Sequence, residues 1–267
     1  MEDISKCQSN IIKTSKNTGL IDVIVLTCNG LNITKKFLEL FYKNTKKELF
    51  HLIVIDNGSK DETPDFLKDF SKNNEFISVI LNSANLGVIR GRNLGYYLSS
   101  ILLNKKSKYL MFLDNDQYIQ PRCLEHHLSV LNEGYDLVGV EAWQLNNRFM
   151  PVKKIENIKE HFTYVGCGGM LMKKEVPEKV GMFDIIFNPA YFEDPDFNIK
   201  SYQAGFKIGW NISAKLVHLP HQTLGKISQQ EKIKQFTSSL NKFRDKWKNT
   251  KLPIMYQKYL KQFGNNI

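Results

Sequence analysis

Short apolar runs alternate with amphipathic stretches over the first half of the chain, and this alternation limits the possible folds more than any other feature. The runs start at Ile21, His51, Ile77, Tyr109 and Asp136, and segments of helical periodicity lie between them. Continuous apolar runs are typical of strands buried on both faces of a parallel sheet. Alternating strands and helices form βαβ units in such sheets. The sequence therefore predicts an α/β fold with a mostly parallel sheet flanked by helices.

Polar or acidic residues follow the first, second and fourth predicted strands, at the sheet edge where α/β proteins bind ligands. The fourth strand runs directly into Asp114-Asn115-Asp116. Side chains two residues apart in an extended segment point the same way. Two carboxylates at one point repel each other unless a cation separates them, and oxygen ligands favour Mg²⁺ or Mn²⁺. The sequence predicts a metal–diphosphate site here, and a simple polar turn is the alternative.

Other segments give weaker signals. Residues 1–20 are polar and are expected to form a loose lead-in or an irregular cap, and residues 141–163 an irregular or edge segment. Residues 164–172 are predicted to form one strand, in which glycines let another group approach the backbone or mark a bulge. A helix is expected from about Asp196, which is itself a possible helix cap.

The net charge of +10 is carried by the last quarter of the chain. Residues 205–267 contain 12 lysines and arginines and 2 acidic residues, whereas the first 204 residues hold 25 of each kind. We expect one or two basic amphipathic helices over residues 229–263, interrupted by Pro253. Such a tail is suited to an anionic membrane surface or an acidic acceptor, or it is simply a solvated helix face.

Several classes of protein are disfavoured by what the sequence lacks. It has no GxxxxGK[ST] loop, no GxSxG elbow and no HExxH motif. The four-residue spacing of Gly87, Gly91 and Gly95 suits close packing of a helix on the sheet better than dinucleotide binding. Core packing explains the aromatic residues of the tail, so no nucleic-acid partner is expected. The four scattered cysteines are Cys7, Cys28, Cys123 and Cys167.

The location of the protein is likewise predicted from features that the sequence lacks. No apolar run approaches the roughly 18 residues needed to span a bilayer, and the first residues lack the apolar region of a signal peptide. The cysteines form no CxxC pair, which indicates reduced thiols. We therefore expect a cytoplasmic protein, which the basic tail could attach to the inner face of a membrane.

A series of motifs over residues 21–223 resembles family 2 glycosyltransferases of the GT-A fold, a Rossmann-like architecture. Each motif is weak alone, but their order is specific. They are Thr27-Cys28-Asn29, Asp56-Asn57-Gly58-Ser59, Asn85-Leu86-Gly87 with Asn93, Asp114-Asn115-Asp116, the glycine-rich strand followed by Val180-Gly181-Met182-Phe183-Asp184, then Glu193-Asp194 and His218.

This resemblance implies an inverting, metal-dependent enzyme that moves a sugar from a nucleotide diphosphate to a hydroxyl of a glycan, lipid-linked or protein acceptor. Such an enzyme would act in polysaccharide, cell-surface glycan or glycoconjugate synthesis. It also implies a catalytic domain over residues 21–225, with a nucleotide-binding half to residue 120 and an acceptor half from residue 121. Residues 226–267 would then form a basic helical extension.

The resemblance assigns roles to individual residues. The nucleotide contacts would be Thr27, Asn29, Asp56, Asn85, Gly87, Arg90, Asn93, Asp114 and Asn115. Asp56 would accept from a base N–H, which favours a UDP-sugar over the possible dTDP- and GDP-sugars. Arg90 and Arg92 are extra cations that could reach a phosphate or lie on the solvent side of their helix.

The same resemblance implies a metal and a catalytic base. Asp116, Asp114 and His218 would hold Mn²⁺ or Mg²⁺, with His221 competing for the place of His218. Asp194 would take the proton of the acceptor hydroxyl and Glu193 would contact that hydroxyl, since a sugar hydroxyl needs a base to become a nucleophile.

Two alternatives remain open at this point. A sugar-phosphate nucleotidyltransferase shares the sheet and the acidic residues, but it needs a glycine-rich basic loop after the first strand, which residues 27–30 do not supply. A glycan- or membrane-surface-binding module without activity could keep the fold. The intact Glu193-Asp194 pair beside Asp114 and Asp116 argues against this second alternative.

Overall fold

A mixed eight-stranded sheet forms the centre of the protein in a computed structural model that describes residues 8–13, 19–103, 107–218 and 228–256. In chain order the strands are β1 (Ser9–Lys13), β2 (Ile21–Thr27), β3 (Phe50–Asp56), β4 (Ile77–Asn82), β5 (Tyr109–Asp114), β6 (Gln117–Ile119), β7 (Leu137–Gly139), β8 (Ala142–Leu145), β9 (Pro151–Lys154), β10 (His161–Phe162), β11 (Tyr164–Val165), β12 (Met170–Lys173), β13 (Ile208–Trp210), β14 (Leu216–His218) and β15 (Met255–Tyr256). The helices are α1 (Leu31–Asn44), α2 (Thr63–Asn73), α3 (Val88–Tyr97), α4 (Cys123–Asn132), α5 (Glu175–Val180), α6 (Glu193–Gln203) and α7 (Gln229–Trp247).

The order of strands in the sheet is β1-β4-β3-β2-β5-β12-β7-β13. Strands β4, β3, β2 and β5 are parallel neighbours, which confirms the βαβ units predicted from the alternation. Strand β7 was predicted as the next member of this parallel series, but β12 lies between it and β5 and is antiparallel to both. The first four predicted strands thus form one continuous parallel block, and the second half of the chain completes the sheet.

Three segments are more regular than the sequence indicates. Residues 9–13 of the expected lead-in form β1, an edge strand antiparallel to β4. The expected irregular segment contains the hairpin β8–β9, which β11 extends to a three-stranded sheet. The glycine-rich segment is two strands in different sheets, β11 and β12, because the chain turns at Gly166 to Gly169.

Glycines allow α3 to lie close to the sheet, as their spacing predicts. A Cβ added at Gly95 would lie 2.5 Å from Ile24 Cγ2 and 3.0 Å from Ile55 Cδ1. Both isoleucines are fully buried. The close approach brings the amino-terminal end of α3, with its two arginines, to the carboxyl ends of the strands.

The variant Gly95→Ala is expected to lower the free energy of unfolding by about 1–3 kcal/mol through overpacking, offset by up to ~1 kcal/mol of helix propensity. Urea unfolding would measure the loss. Gly91→Ala is the control, because its Cβ would meet the ends of side chains that can move, namely both Cδ atoms of Leu26 at 3.0 and 3.1 Å and Asn57 Nδ2 at 3.5 Å. Equal stability of Gly95→Ala and the wild type would contradict this account of the packing.

Helix α7 confirms the first predicted helix of the basic tail and packs on the protein core. Leu240, Phe243 and Trp247 are buried on one face of it. The indole Nε1 of Trp247 donates to Asp196 Oδ1 at 2.9 Å, and Lys246 Nζ lies 2.8 Å from the same carboxylate oxygen. Asp196 therefore holds α7 in place and is not a cap, since α6 begins three residues earlier.

Several cations of the tail bind groups of the protein itself. Besides Lys246, Lys242 Nζ donates to Ile186 O and Arg244 Nε donates to Arg148 O. After Pro253 the chain forms the short strand β15, which pairs with β10. The described residues after Pro253 therefore do not form the second helix that was one of the two expectations. Residues 257–267 lie outside the described part of the chain.

None of the helices in the described ranges combines the length and the apolar character that crossing a bilayer requires. Cys28, Cys123 and Cys167 form no disulfide with one another, and Cys7 lies outside the described residues.

Candidate active site

A cavity of about 1110 Å³ opens at the carboxyl ends of β2, β3, β4 and β5. One wall comes from the loops that follow these strands, and the other from α6, the segment before it and β11. Pockets of roughly 300–1,000 Å³ hold small ligands in proteins, so this cavity has room for a nucleotide with an attached sugar. Strand ends that are far apart in the sequence meet here, as expected for parallel strands.

Seven of the predicted nucleotide contacts line this cavity: Thr27, Asn29, Asn85, Gly87, Arg90, Asp114 and Asn115. Asp116, His218, Glu193 and Asp194 line it as well. His221 lies outside the described residues. Most of the residues that the family resemblance singles out are therefore brought to one place by the fold.

Asp56 is placed differently from its expected contact with a base. It is 1% exposed, and its carboxylate accepts hydrogen bonds from the backbone N and from Oγ of Ser59. Burial raises the pKa of Asp56, and these hydrogen bonds partly oppose that rise. The carboxylate closes its own turn, and it is the next residue, Asn57, that lines the cavity.

Asn93 is also absent from the cavity wall. Its Nδ2 donates to Phe183 O at 2.7 Å and its Oδ1 accepts from Phe183 N at 3.2 Å. This pair of hydrogen bonds ties α3 to the loop after α5. Asn93 thus supports the loop after α5, and its contact with a nucleotide stays a prediction.

The loop after β4 is held by the side chain of Asn57. Its Nδ2 donates to Asn85 Oδ1 at 3.1 Å and to Gly87 O at 3.2 Å, and its Oδ1 accepts from Leu86 N at 3.1 Å. These bonds hold residues 85–87 over the cavity. Asn57 is a site residue that sequence reasoning did not select, although the motif that contains it was recognised.

Arg92 points into the protein, where it links the two halves of the predicted domain. Its Nη2 lies 2.8 Å from Asp114 Oδ1 and its Nη1 lies 3.4 Å from Glu193 Oε1. The Arg92 side chain is 6% exposed and that of Glu193 is 9% exposed. A cation this deeply buried needs carboxylates around it, and here they come from residues on β5 and α6.

Glu193 and Asp194 occupy the first turn of α6, where the helix dipole favours negative charge. Burial, together with the neighbouring Asp194, raises the pKa of Glu193, and Arg92 lowers it. Burial also raises the pKa of Asp194, against the lowering effect of Arg92. Asp194 Oδ1 is buried and has no hydrogen-bond partner in the part of the chain that the structure describes. A buried carboxylate oxygen without a partner, in the wall of a cavity, can accept a proton from a ligand.

Asp116 and His218 form a second polar pair in the cavity. Asp116 Oδ1 lies 3.6 Å from His218 Nε2, and β14 carries His218 to this place by pairing with β6. That separation is long for a hydrogen bond. Two ligands at about 2.1 Å from one ion lie about 3.0–3.6 Å apart at the usual angles, so an oxygen and a nitrogen placed this way are suited to one divalent ion.

The third predicted metal ligand is engaged elsewhere. Asp114 binds Arg92, and the described residues contain no cluster of three or more histidine, cysteine, aspartate or glutamate residues that could hold a metal ion. Mg²⁺ and similar ions commonly use only one or two carboxylates and complete their coordination with water and phosphate oxygens. The residues present therefore fit an ion shared between Asp116, His218 and a diphosphate.

Comparison with known families agrees with this geometry. The family model described as glycosyl transferase family 2 matches residues 22–183. The chain belongs to glycosyltransferase family 2. The match covers every strand that contributes a loop to the nucleotide side of the cavity.

Among curated relatives of this family 2 chain is an uncharacterized glycosyltransferase of Methanocaldococcus jannaschii. It is 25% identical over 153 residues, which are 54% of this chain and 51% of the relative. The chain thus spans about half the length of that relative.

Two solved structures share the fold of the family 2 chain. A mannosyltransferase from Pyrobaculum calidifontis, in complex with GDP-Man and Mn²⁺, superposes with a TM-score of 0.66 at 13% identity and covers 90% of this chain and 67% of its own. TarS of S. aureus, residues 1–349 in complex with UDP-GlcNAc, gives a TM-score of 0.58 at 16% identity and covers 78% and 61%. The likeness confirms the GT-A fold predicted from the sequence.

The remaining side of the cavity is the part that sequence reasoning missed most. Its wall includes Gln117, Trp143, Tyr164, Tyr191 and Phe236. The glycine cluster gave one signal for Gln117, because it predicted that another group lies close to the backbone there. The Gln117 side chain is such a group, since it occupies the space that a Cβ at residue 168 would need. The aromatic residues lie on separate elements, and no local pattern marks them as neighbours.

Proposed function

We propose that this family 2 protein transfers one sugar from a nucleotide-diphosphate donor to an acceptor hydroxyl, with inversion at the anomeric carbon. The observation that carries the proposal is the unpaired, buried Oδ1 of Asp194 in the cavity that also holds the Asp116–His218 pair. One residue can remove a proton on the acceptor side while the pair binds the diphosphate on the donor side. Proposed acceptors are the hydroxyls of a glycan, a lipid-linked saccharide or a protein.

Each residue has a defined task in this reaction. Asp194 takes the proton of the acceptor hydroxyl as that oxygen attacks the anomeric carbon, and the diphosphate leaves from the opposite face of the sugar in a single displacement. Glu193 contacts the same hydroxyl and is kept in position by Arg92. Asp116 and His218 would hold Mn²⁺ or Mg²⁺, which stabilises negative charge on the departing diphosphate.

The nucleobase of the donor is the next part of the proposal. A UDP-sugar stays the favoured donor if Asp56 accepts from the base N–H in addition to its bonds with Ser59, since a carboxylate has about four acceptor sites, and dTDP- and GDP-sugars are the alternatives. The two solved neighbours hold UDP-GlcNAc and GDP-Man. A thermal-shift screen of UDP-, dTDP- and GDP-sugars with Mn²⁺ would identify the donor, because a bound ligand raises stability by mass action.

Removal of divalent ions is expected to lower the rate of sugar transfer, or of donor hydrolysis to free sugar, by about 10²-fold or more, since such ions stabilise the transition state by several kcal/mol. The rate would be measured in excess EDTA and again after adding Mn²⁺. The variant Asp116→Asn should need more Mn²⁺ for half-maximal rate. The control Asp65→Asn, whose side chain is 81% exposed on α2, should behave as the wild type. Full activity in excess chelator would contradict the metal assignment.

The alternative of a sugar-phosphate nucleotidyltransferase is separated from this proposal by its products. That enzyme releases pyrophosphate from a nucleoside triphosphate and a sugar phosphate, whereas the proposed reaction releases a nucleoside diphosphate. Contact of the basic tail with an anionic membrane remains a prediction, as does a cytoplasmic location. Sedimentation with acidic liposomes at low and high salt would test that contact, because salt screens such attraction.

A further inference from the structure

We propose that the acceptor is an oligosaccharide whose second sugar ring, counted from the reacting one, lies in a groove between Tyr191 and the first two turns of α7. This inference rests on the proposed transfer reaction and specifies its acceptor. The groove, called here the α7 groove, has a volume of about 650 Å³ and is lined by Tyr191, Gln229, Lys232, Ile233 and Phe236.

The α7 groove is continuous with the main cavity. Tyr191 and Phe236 line both, and Tyr191 lies only two residues before Glu193 in the chain. An acceptor whose reacting hydroxyl lies beside Asp194 therefore extends naturally along Tyr191 to α7. A single sugar ring would leave the groove empty.

The apolar stripe of α7 is buried in the protein core over its carboxyl-terminal part and exposed at the groove. The stripe consists of Ile233, Phe236, Leu240, Phe243 and Trp247, whose spacing of three and four residues places them on one helix face. The last three are 6%, 0% and 7% exposed, whereas Ile233 is 57% exposed. The first turns of α7 thus present, beside the reaction cavity, a face that the described core does not cover.

The groove combines aromatic surface with hydrogen-bond donors. The rings of Tyr191 and Phe236 are 5.6 Å apart at 74°, and Phe236 also packs against Phe192 at 5.2 Å. Lys232 and Gln229 also line the groove, and no carboxylate in the described ranges forms an ion pair with Lys232. A sugar ring has an apolar face of C–H groups and a rim of hydroxyls, which is the complement of such a surface.

The backbone supports a binding role for Tyr191. Tyr191 and Phe192 have φ angles of +76° and +69°, a left-handed conformation that costs energy in residues other than glycine. Such strain is concentrated at ligand-binding sites. The two residues turn the chain from the main cavity into α6, and this turn places the Tyr191 ring against α7. A single lysine is a weak basis for a phosphorylated ligand, so a neutral saccharide is the occupant that the groove favours.

The test measures binding of the full chain to an array of mono-, di- and trisaccharides that end in glucose, galactose, N-acetylglucosamine or mannose, followed by titration of the saccharides bound. We expect at least one di- or trisaccharide to bind about tenfold more tightly than its terminal monosaccharide. The variants Tyr191→Ala, Lys232→Ala and Ile233→Ser should reduce this ratio to near one. Exposed residues outside the groove supply matched controls, Ile254→Ser (56% exposed) and Lys248→Ala, which should keep it.

Equal binding of mono- and oligosaccharides, no binding of any saccharide, or an unchanged ratio in the groove variants would overturn the proposal. The donor-induced thermal shift, measured on the same proteins, separates this failure from failure of the transfer reaction. Nucleotide-sugar binding without a groove effect would refute the groove alone. A groove effect without any nucleotide-sugar binding would show a saccharide site in the groove but refute the transfer reaction, and with it the role of the groove in holding an acceptor.

Discussion

Replacing Asp194 by asparagine is expected to lower the rate of sugar transfer by about 10²–10⁴-fold, the usual contribution of a general base. The amide keeps the size of the side chain but cannot accept the proton of the acceptor hydroxyl. Donor binding should remain near the wild-type level, because the Asp116–His218 pair and the loops of the nucleotide side are unchanged. The rate would be measured by transfer, and donor affinity by calorimetry.

Stability gives the necessary control for this variant. Burial raises the pKa of Asp194, which means that keeping this carboxylate charged opposes folding. Removal of the charge should therefore not lower the thermal midpoint. The exposed Asp65→Asn should transfer sugar at the wild-type rate. If Asp194→Asn turned over normally, another residue would have to be the base.

Replacing Arg92 by methionine is expected to lower the free energy of unfolding by about 3–5 kcal/mol at pH 8, the usual cost of leaving a buried charge without its partner. The cost is shared by the acidic groups around Arg92, which are Asp114 at 2.8 Å, Glu193 at 3.4 Å and the neighbouring Asp194. Urea unfolding with coincident fluorescence and circular dichroism signals would measure the change.

The effect of Arg92→Met should be smaller at pH 5 than at pH 8. Burial and Asp194 already raise the pKa of Glu193, and Arg92 lowers it, so loss of Arg92 raises that pKa further. A carboxyl group whose folded-state pKa exceeds the unfolded value of about 4.3 destabilises the protein above that value. The penalty fades as the pH falls toward that value, because the group then becomes protonated in the unfolded chain as well and the two states bind the same number of protons.

Arg90→Met is the matched control, because it removes the same charge from the same helix. No ion pair joins Arg90 to a carboxylate in the described residues, and the expected loss is below about 1 kcal/mol at either pH. Equal losses for the two variants would show that Arg92 does not hold the two halves of the site together.

Strands with continuous apolar sequences were predictable because burial on both faces is a local property of the sequence. β2 spans Ile21–Thr27 as predicted, and all seven of its residues are buried. β1 was missed for the complementary reason. It lies at the sheet edge with residues 9–12 exposed, so no apolar pattern distinguishes it from a polar lead-in, and only its pairing with β4 reveals it.

The site residues also divide into features that local sequence predicts and features that tertiary contacts set. The motif that contains Asp56 and Asn57 was found, but adjacent side chains at a strand end point in different directions, and the structure turns Asn57 toward the cavity. Arg92 could have faced solvent by its sequence. Packing of the glycine face of α3 on the sheet turns it inward, to carboxylates that are 22 and 101 residues away.

The sequence by itself determined the α/β class, the parallel block of four strands and the sheet edge at which the polar loops meet, because these follow from local periodicity and from the geometry of parallel strands. Tertiary structure alone decided that Asp114 pairs with Arg92 and that α7 forms one wall of a groove next to the cavity. These partnerships depend on distances between segments far apart in the chain, and no local pattern of residues encodes such distances.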